Sequence, residues 1–215
     1  KMGIIGMWLQ TWGPGTNLPE GINLSIAFSG WPDITSALSN SQNIFNTMPS
    51  EKYLSLGGGV ATGTWTEEIL SANLESINNG DVDAYDGVVF DVEISDAAGL
   101  YSNFEECFSA LKTKGKNVIV TTSHTGPYQF PDALEFMEGC FTSENIDILS
   151  PQLYTNGNET SNDYSNGVVP WSAWQTTKIN IVPSIVTANL YEDASSWFES
   201  NLSINIGGFI QWENI

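Results

Sequence analysis

One short stretch of the chain carries the residues best suited to do chemistry. Residues 85–93 read Tyr-Asp-Gly-Val-Val-Phe-Asp-Val-Glu, a run of branched and aromatic side chains that ends in two carboxylates. Because side chains alternate between the two faces of a strand, Asp91 and Glu93 point in the same direction. A buried carboxylate is costly unless it is paired or functional, so the pair indicates a site with tuned pKa values. A strand that simply ends in an acidic loop is the structural alternative.

Eight short apolar runs of this kind recur along the chain. They are residues 3–10, 22–29, 52–56, 86–93, 117–122, 146–154, 179–185 and 206–212. Each is about as long as a strand and rich in Ile, Val, Leu and aromatic residues, which is typical of strands covered on both faces. Helices are predicted at residues 64–77, 102–112, 131–141 and 194–200, and Gly80 follows the first of them as a stop signal. The helix after the first strand is expected to be short or missing.

Eight strands that alternate with helices predict a parallel sheet, and eight is the number that closes a (β/α)8 barrel. We therefore predict a compact α/β TIM barrel with short or missing helices, formed as a single domain by residues 1–215. An open doubly wound sheet is the alternative, but no Gly-x-Gly-x-x-Gly fingerprint supports a nucleotide-binding fold.

The charge of the chain restricts its partners. Six lysines, no arginine and 25 acidic residues give a formal net charge of −19. Such a surface repels nucleic acids and anionic membranes, so we expect a neutral or cationic partner. No apolar run approaches the roughly 18 residues of a membrane span. Glycosylation-type triplets at Asn23, Asn158 and Asn201 are a weak indication of an extracellular, secreted protein.

The remaining reactive residues predict neither a metal nor a cofactor. The acidic turn at residues 81–87 lacks the glutamate of a calcium loop, and no cysteine spacing suits a metal. His124 is the only histidine and has no paired nucleophile, which disfavours a Ser/His hydrolase. Cys107 and Cys140 are compatible with one disulfide or with two buried thiols.

Aromatic residues recur where the predicted strands end, and this is where barrels place their chemistry. The residues at these ends are Trp8, Trp12, Trp31, Trp65, Asp91, Glu93, His124, Tyr154 and Trp212. Aromatic faces in a polar cleft suit the apolar faces of sugar rings. Trp12, Trp31 and Trp65 lie on predicted loops and are expected to be exposed in a groove, whereas Trp8 and Trp197 are expected to fill the core.

Residues 86–93 resemble the fourth-strand signature of glycoside hydrolase family 18, Asp-x-x-Asp-x-Asp-x-Glu, most closely as found in hevamine-type chitinases. Residues 54–59, Leu-Ser-Leu-Gly-Gly-Gly, are similar to the third-strand motif of that family. The pair 131–132 and the segments 152–154 and 207–212 match its fifth-, sixth- and eighth-strand segments. The resemblance covers nearly the whole chain, with the motifs in order.

The resemblance implies a glycosidase that hydrolyses β-1,4-linked N-acetylglucosamine, in chitin or chitooligosaccharides, with the N-acetyl group of the substrate as nucleophile. Glu93 would be the general acid and then the base. Asp91 would orient the acetamido group and stabilise the intermediate, and Tyr154 would donate a hydrogen bond to the acetamido carbonyl. The implied substrate-binding residues are Trp212, Gln152, Asp86, Gly58, Trp12, Trp31 and Trp65.

Three positions depart from the family pattern. Val89 stands where the family has its middle aspartate, Thr155 where Asn or Asp usually follows the tyrosine, and Met7 where hevamine-type enzymes have a first-strand tyrosine. Without an acid at position 89, we expect a lower pKa for Asp91 and slowed or altered chemistry. Two other functions therefore stay open: a non-catalytic chitin- or glycan-binding lectin on the same barrel, and an endo-β-N-acetylglucosaminidase that acts on N-glycans. In each case we expect a monomer.

Overall fold

The computed structural model describes residues 3–213 and contains strands that all run parallel. The strands are β1 (Ile4–Gln10), β2 (Leu24–Phe28), β3 (Glu51–Gly57), β4 (Gly87–Asp91), β5 (Asn117–Ser123), β6 (Ile148–Gln152), β7 (Asn180–Ile181), β8 (Ser184–Ile185) and β9 (Gly208–Gln211). The helices are α1 (Ile34–Phe45), α2 (Glu67–Asn79), α3 (Tyr101–Thr113), α4 (Ala133–Thr142), α5 (Trp171–Trp174) and α6 (Tyr191–Leu202).

The sheet closes on itself. Strands β1 to β6 pair in sequence order, β8 joins β6 to β9, and β9 pairs with β1. The predicted closed (β/α)8 TIM barrel is therefore confirmed. The seventh predicted strand is broken into β7 and β8, because Pro183 lies between them and cannot donate a backbone hydrogen bond to the ladder.

Strand β4 shows how the alternation of side chains builds two cores. Val89 lies inside the barrel among Ile26 and Ile119, whereas Phe90 points outward to the helices. The Phe90 ring packs edge-on against Phe108 of α3, with ring centroids 4.9 Å apart. Burial on both faces explains the continuous apolar run that predicts this strand.

The helix boundaries follow local signals. Helix α2 begins where the Thr66 hydroxyl accepts a hydrogen bond from the Ile69 amide, and it ends at Gly80, whose φ of 89° is left-handed. The four predicted helices correspond to α2, α3, α4 and α6. Helix α1 was not predicted, because its serines and asparagines hide the narrow buried stripe of Ile34, Ala37 and Ile44. Among the described residues no helix separates β1 from β2, as expected.

The structure also answers the questions of a disulfide and of a membrane-spanning helix. Cys107 on α3 and Cys140 on α4 are buried free thiols, so the alternative of a disulfide between them is wrong. Burial raises the pKa of the Cys107 thiol to about 12, which keeps it protonated and unreactive. Across residues 3–213, no helix combines the length and hydropathy that a bilayer span requires.

Candidate active site

A cavity of about 680 Å³ opens at the carboxyl ends of the strands. The last residues of β2, β4, β5 and β6 line it, together with Trp8 of β1. The segments after β1, β3, β4, β5, β6 and β9 supply the other lining residues. Asp91, Glu93, Gln152, Tyr154 and Trp212 all line this cavity. The closed barrel thus brings together residues that are far apart in sequence.

The two carboxylates are buried at the bottom of the cavity. Asp91 is 4% exposed and Glu93 is 8% exposed. The Gln152 side-chain amide donates to Asp91 Oδ1 at 3.1 Å, and the Ser123 hydroxyl donates to Glu93 Oε2 at 2.8 Å. Neutral donors therefore hold each carboxyl group in a fixed orientation.

Burial, followed by the charge of Glu93 and a hydrogen bond between the two carboxyl groups, raises the pKa of Asp91 well above its usual range. The amide of Gln152 opposes part of this rise. The expected lowering compares this site with one that has an acid at position 89, and it stays a prediction. Burial and Glu93 raise the pKa of Asp91 above that of a free aspartate. A buried carboxyl group with a raised pKa beside a second carboxyl group is an arrangement suited to acid–base chemistry.

Tyr154 and Trp212 form one side of the cavity. Their rings stack with centroids 6.0 Å apart and planes 26° apart. Burial and the nearby charges of Asp91 and Glu93 raise the pKa of Tyr154 well above its usual value. Its hydroxyl therefore keeps its proton and can act as a hydrogen-bond donor to a ligand.

The floor of the cavity is aromatic. Trp8 and Phe28 pack edge-on against Trp212, with centroids 6.0 and 5.2 Å away. The indole Nε1 of Trp8 donates to the Ser184 hydroxyl at 3.0 Å, which fixes its ring. As expected, Trp8 is buried, but its ring also forms part of the cavity floor. Such a surface suits the apolar face of a sugar ring.

Two exposed aromatic rings flank the floor. Trp12, after β1, is 66% exposed and packs edge-on against Phe28 at 5.9 Å. Tyr128, after β5, is 54% exposed, and its hydroxyl donates to the Gly59 carbonyl at 3.3 Å. Both rings line the cavity, and Tyr128 reaches from the segment after β5 to the loop after β3.

The glycine run after β3 is required by close packing on the acidic strand. Gly57 has φ of 90°, and a Cβ there would clash with the Asp91 carbonyl. A Cβ at Gly59 would lie 2.6 Å from Glu93 Oε2. Gly58 lies against Phe28, where a Cβ would be 3.1 Å from the ring, and is not among the residues that line the cavity.

The prediction that Trp65 is exposed in a groove is wrong. Trp65 is fully buried, and its ring stacks on Phe90 with centroids 5.9 Å apart. Its indole Nε1 donates to the Asp91 carbonyl at 3.0 Å, and its backbone amide donates to the Ile94 carbonyl. The loop after β3 therefore turns inward onto the end of β4, and Trp65 supports the acidic strand from behind.

Two other predicted substrate-binding residues lie away from the cavity. Trp31 is 37% exposed, but it does not line the cavity, and its carbonyl accepts a hydrogen bond from the Gly57 amide. Asp86 precedes β4, at the end of the strand opposite to Asp91. Its carboxylate accepts a hydrogen bond from the Lys52 amide at 2.8 Å, so it joins β3 to β4. Trp197, expected in the core, is half-buried and stacks on Tyr164 at 4.2 Å.

Sequence reasoning missed Ser123, Tyr128 and the loop that follows Tyr154. Ser123 shares the strand parity of Thr121, whose hydroxyl is buried and accepts from Gln152, so alternation along β5 could have placed it inside. No sequence signal marks Glu159, whose carboxylate accepts hydrogen bonds from the four backbone amides of residues 155–158. Within residues 3–213, no group of three His, Cys, Asp or Glu side chains is arranged to hold a metal ion.

The barrel is similar to solved structures whose sequences differ strongly from this chain. A provisionally assigned chitinase A from Streptomyces coelicolor aligns with a TM-score of 0.59 at 11% identity, over 99% of this chain and 92% of that chain. A variant endo-β-N-acetylglucosaminidase from Cordyceps militaris, in complex with fucosyl-N-acetylglucosamine-Asn, aligns with a TM-score of 0.55 at 14% identity. The alignment covers 99% of this chain and 81% of that chain. PhdJ bound to a substrate intermediate aligns with a TM-score of 0.51 at 9% identity, over 99% of this chain and 67% of that chain.

No family model and no curated protein sequence matches the chain. At these identities the structural similarity establishes a shared fold, and one fold can serve several chemistries. The chain is thus a closed parallel α/β barrel of the kind seen in a chitinase and in an endo-β-N-acetylglucosaminidase.

Proposed function

We propose that this protein is a glycosidase of the family 18 type, which hydrolyses β-1,4-linked N-acetylglucosamine in chitin or chitooligosaccharides. The observation that carries the proposal is the buried Asp91–Glu93 pair, which meets Tyr154 and an aromatic floor in one cavity. A buried pair of carboxyl groups supplies acid–base chemistry, and the aromatic floor supplies a place for a sugar ring.

The proposed reaction needs no enzyme nucleophile. Glu93 donates its proton to the glycosidic oxygen, while the acetamido oxygen of the substrate attacks the anomeric carbon and the leaving sugar departs. Asp91 stabilises the positive charge of the resulting oxazolinium ring. Tyr154 donates a hydrogen bond to the acetamido oxygen and so orients it. Glu93 then removes a proton from water, which opens the ring and restores the original stereochemistry.

The comparison with the endo-β-N-acetylglucosaminidase supports a substrate that contains N-acetylglucosamine. That structure holds fucosyl-N-acetylglucosamine-Asn in a variant in which an Asp and a Glu two positions apart are replaced by their amides. Asp91 and Glu93 have the same spacing on β4 and in the residues that follow it. An endo-β-N-acetylglucosaminidase activity on N-glycans is therefore the second candidate.

A lectin is the candidate from another class, because Val89 occupies the position of the middle acid of the family signature. The test is hydrolysis of fluorogenic chitotriose and chitotetraose by the wild type, by Glu93→Gln and by Glu75→Gln, whose side chain is exposed on α2. We expect turnover by the wild type and by Glu75→Gln, and a loss of about 10²-fold or more in Glu93→Gln. Binding of the same oligosaccharides without turnover by the wild type would identify a lectin and overturn the proposal.

A further inference from the structure

Ser123, the last residue of β5, makes direct contact with the proposed acid–base residue. Its hydroxyl donates to Glu93 Oε2 at 2.8 Å. The backbone keeps the two residues together, because the Val92 amide donates to the Thr121 carbonyl and the Gln129 amide donates to the Glu93 carbonyl. The contact is therefore built into the pairing between the end of β4 and the segment that follows β5.

The carboxylate oxygen in this contact also lies close to the loop after β3. A Cβ at Gly59 would lie 2.6 Å from Glu93 Oε2, so only glycine leaves room for that oxygen. Oε2 is therefore near both the Gly59 backbone and the Ser123 hydroxyl. Rotation of the Glu93 side chain would break the hydrogen bond from Ser123 and change the close approach to Gly59.

Among residues 3–213, the charged and titratable groups that line the cavity around Glu93 do not include a lysine. Asp91 faces it from β4, Tyr128 and His124 come from the segment after β5, and Tyr154 follows β6. The cavity residues contributed by β3 and β9 and their loops, Gly59, Val60 and Trp212, do not titrate. His124 directs Nε2 to the Thr155 hydroxyl at 3.2 Å and to Asp163 at 3.8 Å. Stabilisation of a charged Glu93 thus depends on neutral donors.

We propose that Ser123 is a positioning residue that fixes Glu93 Oε2 and stabilises the carboxylate form of Glu93 after it has given up its proton. This role rests on the proposed acid–base function of Glu93. A hydroxyl that donates to a carboxylate favours the charged form over the protonated form, and it also restricts the rotamer from which the proton is transferred. The serine therefore assists the first step, in which Glu93 gives its proton to the glycosidic oxygen and becomes a carboxylate.

The matched pair Ser123→Thr and Ser123→Val tests the role, because the two side chains have nearly the same shape and differ in the hydroxyl. With chitotetraose as substrate, we expect Ser123→Thr to stay within threefold of the wild type in kcat. For Ser123→Val we expect kcat to fall about tenfold while KM stays within twofold of the wild type. The pH at which activity declines on the alkaline side should rise by roughly half to one pH unit in this variant. Ser109→Ala, on the exposed face of α3, is the control without effect.

A second measurement does not require activity. The ¹³C resonance of the Glu93 carboxyl group, assigned through its loss in Glu93→Gln, is titrated in the unliganded wild type and in both variants. We expect the midpoint to move upward in Ser123→Val and to stay in place in Ser123→Thr. Equal midpoints and equal alkaline limbs in the two variants would overturn the role of Ser123. If the wild type does not hydrolyse the substrate but the midpoint is shifted in Ser123→Val, the proposed function is overturned. The hydrogen bond between Ser123 and Glu93 is supported in that case.

Discussion

The Asp91 carboxyl group lies directly above Val89 on the inner face of β4, and its surroundings determine its charge. Burial and the neighbouring Glu93 raise its pKa well above the usual range. The folded protein therefore binds a proton that the unfolded chain has released, above the ordinary aspartate pKa of about 3.9. This contribution to stability is complete below that pH and is lost as the pH rises toward the folded-state pKa.

Asp91→Asn should remove this dependence. Between pH 4 and the folded-state pKa, the free energy of unfolding of the wild type should fall by up to about 1.4 kcal/mol per pH unit more than that of the variant. Urea unfolding at several pH values measures the difference, with Asp96→Asn on an exposed loop as the control. Parallel pH profiles for the wild type and Asp91→Asn would show that the Asp91 pKa is not raised by folding.

The hydroxyl of Tyr154 is proposed to bind the acetamido oxygen, so its removal should slow the reaction. Tyr154→Phe keeps the ring that stacks on Trp212 but removes the donor. We expect kcat on chitotetraose to fall about 10²-fold, the loss typical of one hydrogen-bond donor to developing charge, with an unchanged thermal midpoint. An unaltered kcat would remove Tyr154 from the mechanism, and Tyr191→Phe on α6 serves as the control.

Among the connecting elements, the loop after β6 depends on one carboxylate. Glu159 accepts hydrogen bonds of 2.6 to 3.0 Å from the backbone amides of residues 155–158. Burial alone would raise the pKa of Glu159, but these amides lower it further than burial raises it. The loop also presents Gly157 to Trp212 so closely that a Cβ there would clash with the indole. Glu159 thus helps to hold one wall of the cavity.

Glu159→Gln should loosen this wall, since a neutral amide is a weaker acceptor than a carboxylate. We expect KM for chitotetraose to rise about three- to tenfold with kcat less affected. Because the pKa of Glu159 is lowered, its contribution is present above the ordinary glutamate pKa of about 4.3 and is lost as the pH falls through the folded-state value. Tryptophan fluorescence between pH 2 and 6 should show a transition that Glu159→Gln lacks. The same transition in both proteins would contradict this role.

The elements differ in how far the sequence predicts them. Strands β4, β5 and β6 follow from continuous apolar runs, and α2 follows from its apolar spacing and Gly80. The burial of Trp65 does not follow from the sequence. It depends on a loop that pairs with residues after β4, and the path of a loop has no periodic sequence pattern. The contact between Ser123 and Glu93 required the closed sheet before the two residues could be recognised as neighbours. The alternation of side chains along a strand predicts which way a side chain points, but not its distance from a residue on another strand.

On the scale of the whole molecule, the charges are distributed unevenly. The described lysines all lie at the amino ends of strands or at the carboxyl end of α3, away from the cavity. They are Lys52, Lys112, Lys114, Lys116 and Lys178. Acidic residues occupy the first turns of helices at the cavity end, including Glu67, Glu68 and Asp193. Both distributions suit the helix dipoles, and together they place a negative field over the cavity.

This field should discriminate among charged oligosaccharides. We expect a glucosamine-containing, cationic chitooligosaccharide to bind several-fold more weakly at 300 mM salt than at 10 mM salt, because salt screens its attraction to the cavity face. The fully N-acetylated, neutral oligosaccharide should change by less than twofold. Calorimetry with Glu93→Gln, in which hydrolysis is blocked, separates binding from turnover. Equal salt dependence for the two ligands would contradict the prediction.

We propose that Asp91 and Glu93 hydrolyse an N-acetylglucosaminide through the acetamido group of the substrate. The most direct measurement follows chitotetraose hydrolysis by ¹H NMR, which reports both turnover and the anomer that forms first. We expect the wild type to release the β-anomer first, which then mutarotates, and Glu93→Gln to release almost none. Initial formation of the α-anomer, undiminished turnover by Glu93→Gln, or an inactive wild type would contradict it.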